Sequence, residues 1–441
     1  MQKNFPINYK IKKNYIEMKT HSNTSKDRKN KLDDKKQSSQ IMEDIIDDYN
    51  KIEKEDDKIN IFKWRTLEDT VICNAYNDFK PGKKLLAFDL DDTLTTFEKK
   101  KGKSKDESSP YTFAFDLKKI KSKLDEYQKN DFVFAIISNQ NGITLGHIKE
   151  GDFKNKIDKI FKEELKYPFA AMFAKEKDYY RKPSPGMLEL FIKNFNQNQE
   201  LNLEECIYVG DAAGRKKSKT YKRNDFSDSD YKFALNCQFK FFTPEEFFLN
   251  EKSDYPEIVN KLHDYDKNNN DHIKYDSSPN FKEAIILIGS PGSGKSTFTE
   301  NYLVPKGYIR INQDNLKSKE KVKKCMIDNI KKGKKIVIDC TNPQKSGRNE
   351  YINICKKNDY PVRAFVFQVT KDFAMHLNNL RAINKNRKHY SGHVNNIPIH
   401  TFFKNYQEPE LSEGFTEIVQ VNFVPGPFEN EKDKQIFYYL S

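Results

Sequence analysis

The stretch Lys84–Thr96, KLLAFDLDDTLTT, restricts the fold more than any other part of the chain. Its apolar run Leu85–Phe88 reads as a short buried strand, and the strand ends in Asp89, Asp91 and Asp92, with Thr93 and Leu94 behind. A continuous apolar strand belongs to a parallel sheet covered on both faces, and such sheets place their functional sites where strands pass into loops. Carboxylates crowded at one strand end repel each other unless a cation neutralises them. Mg²⁺, a hard ion with a preference for oxygen, suits that place. An acidic turn after an edge strand would account for a lone Asp-x-Asp equally well. The motifs that follow decide against it.

Phe132–Ile137 predicts a second buried strand, ending in Ser138-Asn139-Gln140-Asn141-Gly142. Phe169–Phe173 predicts a third, followed by Tyr180-Arg181-Lys182-Pro183 and a helix at Leu188–Phe195. Cys206–Val209 predicts a fourth, capped by Gly210-Asp211. Leu117–Tyr127 and Phe153–Leu165 carry apolar residues at helical spacing. Trp64–Cys73 predicts the first strand region, with the tryptophan buried. Strands alternating with helices make a parallel α/β sheet. In that frame Asp89 is the candidate nucleophile toward a phosphoryl group. Asp91 is the candidate general acid, then base. Ser138 can donate to the phosphoryl oxygens and Lys182 can oppose the charge that develops on them. Asp211 completes an Mg²⁺ site with Asp89 and the backbone carbonyl of Asp91. Taken singly, Ser138 could be a helix cap, Lys182 a surface turn residue and Asp211 a plain turn; their common place at strand ends argues for chemistry.

A second α/β unit begins at Ala284–Ile288. Gly289-Ser290-Pro291-Gly292-Ser293-Gly294-Lys295-Ser296-Thr297 follows at once and leads into a helix. This is the phosphate-cradling loop in its proper strand-to-helix setting. Gly289, Gly292 and Gly294 free the backbone N–H groups to wrap phosphate, Lys295 reaches the β and γ oxygens, and Ser296, beside Thr297, holds Mg²⁺. Further strands are expected at Ile309–Asn312, Lys335–Asp339 and Val362–Gln368. Asp314, just past the first of these, is placed to take the proton of an attacking hydroxyl. Asp339 ends a Walker-B-like strand and could tune Mg²⁺. Arg348, Arg381 and Arg387 are candidates for holding phosphate, with Arg381 preferred because it lies in the basic helical stretch 371–387, where a lid would be.

The chain of 441 residues has room for both units. Residues 1–60 are polar and lysine-rich and are expected to be a disordered basic tail, apart from a short helix at Ile41–Ile52. Residues 61–250 are expected to make the domain with the Asp-x-Asp site, 251–281 a linker and 282–441 the domain with the phosphate loop. Lys99–Ser109 reads as a surface insertion. The net charge of +13 favours a polyanionic partner such as nucleic acid. The six cysteines form no Cys-x-x-Cys pair, so neither a zinc ribbon nor a disulfide framework is expected, and reduced thiols point to an intracellular protein. No apolar run is long enough to span a membrane, and no signal-peptide core opens the chain.

The order Asp-x-Asp, Ser, Lys, Gly-Asp resembles the haloacid-dehalogenase phosphatase superfamily. With Asn139-Gln140-Asn141-Gly142-Ile143, Gly210-Asp211-Ala212-Ala213-Gly214-Arg215, Phe233-Ala234-Leu235-Asn236, Thr243-Pro244-Glu245-Glu246-Phe247-Phe248 and Asp339-Cys340-Thr341-Asn342-Pro343, the chain from about residue 65 onward resembles the bifunctional polynucleotide kinase/3′-phosphatase family. The resemblance implies an α/β fold of two domains, a haloacid-dehalogenase-like phosphatase and a P-loop kinase. It implies removal of 3′-phosphates through an aspartyl-phosphate on Asp89 and phosphorylation of 5′-hydroxyls with ATP, with Mg²⁺ at Asp89, Asp91 and Asp211. Lys295 and Ser296 would hold the nucleotide, Asp314 would be the kinase base, and Arg381 would cover the donor phosphates. The expected partners are DNA or RNA ends, nicks and gaps, ATP and a ligase; the protein would act as a monomer, in the nucleus or wherever repair occurs. Residues 1–60 are too short and polar for the family's forkhead-associated module, so docking to phosphopeptide scaffolds is not expected. The alternative is a kinase–phosphatase for RNA ends or for a small phosphorylated metabolite. Arg310 and Lys317 are further candidate substrate contacts.

Overall fold

The computed structural model describes residues 63–97, 111–218, 221, 223–268, 282–383, 395–426 and 428–441. The tail 1–60 with its helix, the insertion Lys99–Ser109 and Arg387 lie outside them.

The strands of the N-terminal half are β1 (Arg65–Leu67), β2 (Val71–Tyr76), β3 (Lys84–Phe88), β4 (Thr95–Phe97), β5 (Tyr111–Phe113), β6 (Phe132–Asn139), β7 (Phe169–Ala174), β8 (Ile207–Val209) and β9 (Lys240–Phe242). Seven of them form one sheet in the order β1-β2-β7-β6-β3-β8-β9, and β4 pairs with β5 as a separate ribbon. From β7 to β9 the sheet is parallel, as expected. The edge differs from the expectation. β1 and β2 form an antiparallel hairpin, turned by Glu68 and Asp69 in the left-handed region, and β2 runs antiparallel to β7. Trp64 is half-buried rather than buried, because its indole N–H donates to Asp158 at 3.0 Å near the sheet edge.

Alternation along β3 feeds both faces. Leu85 and Ala87 pack with Met187, Phe191 and Phe233, while Leu86 and Phe88 pack with Ile120, Leu124, Phe247 and Phe248. Each such large side chain removed from water contributes about 1.5–3 kcal/mol. With apolar contacts on both faces, β3 is a fixed centre line, and Asp89 leaves from its end.

The second half adds β10 (Ala284–Ile288), β11 (Ile309–Asn312), β12 (Ile336–Asp339), β13 (Val362–Gln368) and β14 (Glu417–Asn422). They form a wholly parallel sheet in the order β11-β12-β10-β13-β14. β10 sits centrally between β12 and β13, so the loop that follows it emerges at the crevice where such sheets bind ligands.

The halves share an apolar cluster of Tyr179, Leu262, Phe373, Leu380, Ile436 and Phe437. Leu262 belongs to the stretch expected to be a linker. It and Tyr265 pack on the second half because the polar run is interrupted there by residues that a short helix, Leu262–Asn268, can turn inward. In the same interface His376 is buried, with Nε2 3.0 Å from the Phe437 carbonyl and Nδ1 2.9 Å from the Ser441 hydroxyl. Burial, with Lys232 nearby, pulls its imidazole down to about 4 against the hydrogen bond to Phe437. A histidine whose folded pKa is depressed adds stability above its unfolded value near 6.5, and that stability is lost as pH falls through the folded value. The stability difference between wild type and His376→Gln is therefore expected to shrink by about 3 kcal/mol as pH falls from about 6.5 to about 4. Paired denaturant melts across that range measure it.

Candidate active sites

Three adjacent parallel strands, β6, β3 and β8, deliver Ser138, Asp89 and Asp211 to one edge of the first sheet. The ladder runs on past β3, where Asp89 N–H donates to the Val209 carbonyl at 2.9 Å. Lys182 reaches the same place from the loop after β7. It is buried, and its ammonium donates to Asp89 Oδ1 at 2.6 Å, the Tyr208 hydroxyl at 2.6 Å and Asp230 Oδ1 at 2.7 Å. Burial works against its charge, but Asp230 and Asp89 outweigh it, so Lys182 stays protonated. Tyr208 O–H donates in turn to the Ile137 carbonyl at 2.7 Å, so the lysine's neighbour is fixed too.

Carboxylate oxygens of Asp89, Asp211 and Asp230 lie within 4.8 Å of one another. Burial, and then the charges of Asp230 and Asp89, push the Asp211 carboxyl well above the usual range. Lys182 alone leaves this group over-supplied with negative charge. A divalent cation that takes oxygen ligands fits this donor set, because it relieves the repulsion directly. Asp230 carries no assigned role in the sequence, although it lies in the stretch by which the chain resembles its family. It enters because Gly210 has no side chain: a Cβ there would come 2.4 Å from Asp230 Oδ2. The Asp211 loop is held by Thr93, whose hydroxyl accepts from Asp211 N–H at 3.1 Å, and by Arg215, which donates to the Asp211 carbonyl at 2.9 Å.

The Asp91 side chain turns elsewhere. Gln140 Nε2 donates to its Oδ2 at 2.7 Å, while Oδ1 is buried without a hydrogen bond, 3.5 Å from the Lys156 ammonium. Burial, only partly opposed by Lys156 and Gln140, raises its pKa, which favours the protonated form a general acid needs. Gln140 also donates to Ser138 Oγ at 3.3 Å, so one amide positions both groups. Ser138 is buried and caps no helix. Arg181, also missed from the sequence, has a buried Nη1 without a hydrogen-bond partner, near enough for Asp89 to act on its charge. Asp92 sits at φ 56°, the left-handed region, where its carboxylate accepts from Thr96 at 2.8 Å.

In the second sheet Gly292 and Gly294 hold φ of 85° and 88°, and their lack of a Cβ is what lets the loop turn there. A Cβ on Gly289 would come 2.7 Å from Ser293 Oγ. Lys295 is buried and folded back on its own loop, donating to the carbonyls of Gly289 at 2.9 Å and Ser290 at 2.6 Å. Burial pulls its ammonium down to about 8, Asp339 opposes that, and the positive charge of Arg381 adds to it. Ser296 Oγ donates to Asp339 Oδ2 at 3.0 Å, which brings the two candidate cation-holding groups together. Thr297 faces solvent. Asp314 is exposed on the short helix Gln313–Leu316 beyond β11, and its charge also reaches Lys295.

Two arginines are not where the sequence suggested. Arg310 is taken by Asp339 at 2.6 Å and Glu300 at 2.5 Å, so it ties β11 to the end of β12 and to the helical turn Thr299–Leu303. Arg348 has no exposed surface; it pairs with the equally buried Glu413 at 2.6 Å and donates to the carbonyls of Pro343 and Gln407. Its role is structural. Arg348→Ala leaves Glu413 charged and unpaired, which is expected to cost about 3–5 kcal/mol. A thermal melt checks this, and the loss should appear as reduced stability rather than as a raised KM for nucleotide.

The fold and the two strand-edge sites define a haloacid-dehalogenase-type phosphatase half joined to a P-loop kinase half. Residues 84–248 match the family described as "Polynucleotide kinase 3 phosphatase", and residues 285–396 match the "AAA domain" family. The chain belongs to the bifunctional polynucleotide phosphatase/kinase family. It is 36% identical over 369 residues to the "Bifunctional polynucleotide phosphatase/kinase" of Schizosaccharomyces pombe, covering 83% of this chain and 86% of that one. It is 36% identical over 379 residues to the "Putative bifunctional polynucleotide phosphatase/kinase" of Acanthamoeba polyphaga mimivirus, covering 77% and 85%. The "Polynucleotide 3'-phosphatase ZDP" of Arabidopsis thaliana is 30% identical over 200 residues, covering 42% of this chain and 27% of that one. Among the described residues no helix is long and apolar enough to cross a membrane.

Proposed function

We propose that this chain heals broken nucleic-acid ends: it removes a 3′-phosphate at the Asp89 site and phosphorylates a 5′-hydroxyl at the Lys295 site with ATP. What supports the reading most is the meeting of Asp89, Asp211, Asp230 and Lys182 at one strand edge in a chain that carries a separate phosphate loop. Asp89 attacks phosphorus, the bond to the 3′ oxygen breaks, and Asp91 gives that oxygen its proton. Asp91, now ionised, takes a proton from water. That water attacks the aspartyl-phosphate, releasing phosphate and restoring Asp89. Lys182 and Arg181 oppose the charge on the phosphoryl oxygens, and Ser138 donates a hydrogen bond to them.

Asp89, Asp211 and Asp230, with the Asp91 carbonyl, would hold Mg²⁺, which when bound neutralises the carboxylates and the phosphoryl group. In the second site Asp314 takes the proton of the 5′-hydroxyl as it attacks the γ-phosphorus and ADP leaves. Lys295 and Arg381 stabilise the transferring group, and Ser296 with Asp339 would hold the cation that accompanies the nucleotide. The products suit a ligase, so the place of the protein is in repair of breaks before sealing, and the net charge of +13 suits a polyanionic substrate. The test is a nicked duplex with 3′-phosphate and 5′-hydroxyl ends, given with Mg²⁺ and γ-labelled ATP. Phosphate release and 5′ label are expected together. Turnover of small phosphorylated metabolites with none at the nick would overturn the proposal.

A further inference from the structure

Lys182 is held at its head by Asp89, Tyr208 and Asp230, but a lysine head is only as well placed as the backbone that carries it. That backbone lies in the loop between β7 and the helix Gly186–Asn194. On one side Asn139 grips it: Lys182 N–H donates to Asn139 Oδ1 at 2.9 Å, and Asn139 Nδ2 donates to the Lys182 carbonyl at 3.1 Å. The next residue, Pro183, has no N–H to contribute. Its carbonyl is held by Asn236, whose Nδ2 donates to it at 2.8 Å.

Both donors of the Asn236 carboxamide are used, and its oxygen is engaged as well. Its second Nδ2 hydrogen goes to the Leu440 carbonyl at 2.9 Å, and its Oδ1 accepts from Leu440 N–H at 2.8 Å. That two-point pairing with one residue's backbone matters, because an amide can otherwise rotate and present oxygen where nitrogen is needed. Leu440 therefore decides that Asn236 points a donor at Pro183. The segment around Leu440 is anchored in turn. Lys232 donates to the Ser441 carbonyl at 2.7 Å and Asn260 to the Tyr438 carbonyl at 2.7 Å. From the other half, His376 engages Phe437 and Ser441. His376 stands on the helix Lys371–Ile383, which also carries Arg381.

We propose that Asn236 is a positioning residue for Lys182 in phosphate removal, and that the segment Phe437–Ser441, held from the kinase half by His376, is the brace that keeps it aimed. The phosphatase site is thus completed by residues of the kinase half. The inference rests on the reading of Lys182 as the cation of the phosphatase reaction.

The test measures both activities of the full-length protein on the nicked duplex, in wild type, Asn236→Ala, Asn236→Asp and a variant lacking Leu440 and Ser441. Asn236→Asp keeps the acceptor for Leu440 N–H but cannot donate to Pro183. Small displacements of a catalytic group are costly, so each variant is expected to lose about 10- to 100-fold in kcat for 3′-phosphate removal. KM and 5′ phosphorylation should stay near wild type, and each variant should remain folded at the assay temperature, its melting temperature lowered only by the lost hydrogen bonds. Phosphatase turnover equal to wild type in these variants would overturn the proposal. So would a parallel fall in both activities together with the melting temperature, which marks a merely structural contact. A wild-type protein that phosphorylates 5′ ends but removes no 3′-phosphate would overturn the phosphatase reading itself, and the inference with it.

Discussion

Asp89→Asn is expected to abolish 3′-phosphate removal while leaving 5′ phosphorylation at the wild-type rate. The replacement keeps the size of the side chain and removes its nucleophilicity. Loss of the attacking group in a covalent mechanism costs about 10⁴-fold or more. The fold should survive. Asp89 contributes charge to a crowded group, and its presence is one reason the Asp211 carboxyl is pushed upward. Taking that charge away relieves repulsion, and Lys182 keeps Asp230 as an ionic partner at 2.7 Å. The melting temperature is therefore expected to stay level or rise slightly. Phosphate release from the nick, label transfer from ATP and a thermal melt, run on one preparation, separate these effects. Loss of both activities in a folded variant would mean that the two sites are not independent.

The same group shows what the sequence could and could not tell. Asp89, Ser138 and Asp211 were legible because each stands at the end of an apolar strand, and the strands of a parallel sheet end together. The phosphate loop was legible because its glycines answer a backbone requirement, now seen as positive φ at Gly292 and Gly294. Asp230 was not. It lies among Ser227-Asp228-Ser229-Asp230 at the start of a helix, with nothing local to distinguish it from a solvated turn. Only the missing Cβ of Gly210, twenty residues earlier, makes room for it, and that is a fact of packing. Arg348 misled for the opposite reason. An arginine on a helix reads as surface, and its partner Glu413 comes from a segment 65 residues away. β14 and the Phe437–Ser441 segment were missed as well: in β14 the adjacent Ile418 and Val419 break the alternation that marks a half-buried strand, and the short helix Glu431–Tyr438 spans too few turns to show a face.

Lys295→Ala is expected to do the converse of Asp89→Asn: 5′ phosphorylation falls by about 10³-fold or more, and phosphate release from 3′ ends is unchanged. The reason lies in how the ammonium is stored. It sits on the Gly289 and Ser290 carbonyls, out of water, and pays for that burial with a pKa near 8. Phosphate oxygens are stronger acceptors than these carbonyls, so a bound nucleotide draws the charge onto itself. An Ala leaves both carbonyls without that donor, worth about 1–3 kcal/mol, but it also removes the cost of a buried charge, so the loop should remain folded. Lys295→Arg makes the argument sharper. The charge survives, yet a planar guanidinium cannot occupy a slot shaped by a tetrahedral ammonium between two carbonyls. If charge alone mattered, Arg would restore most of the rate. The geometry of the loop instead predicts a loss close to that of Ala, read as kcat/KM for ATP with 3′-phosphatase activity as the internal control.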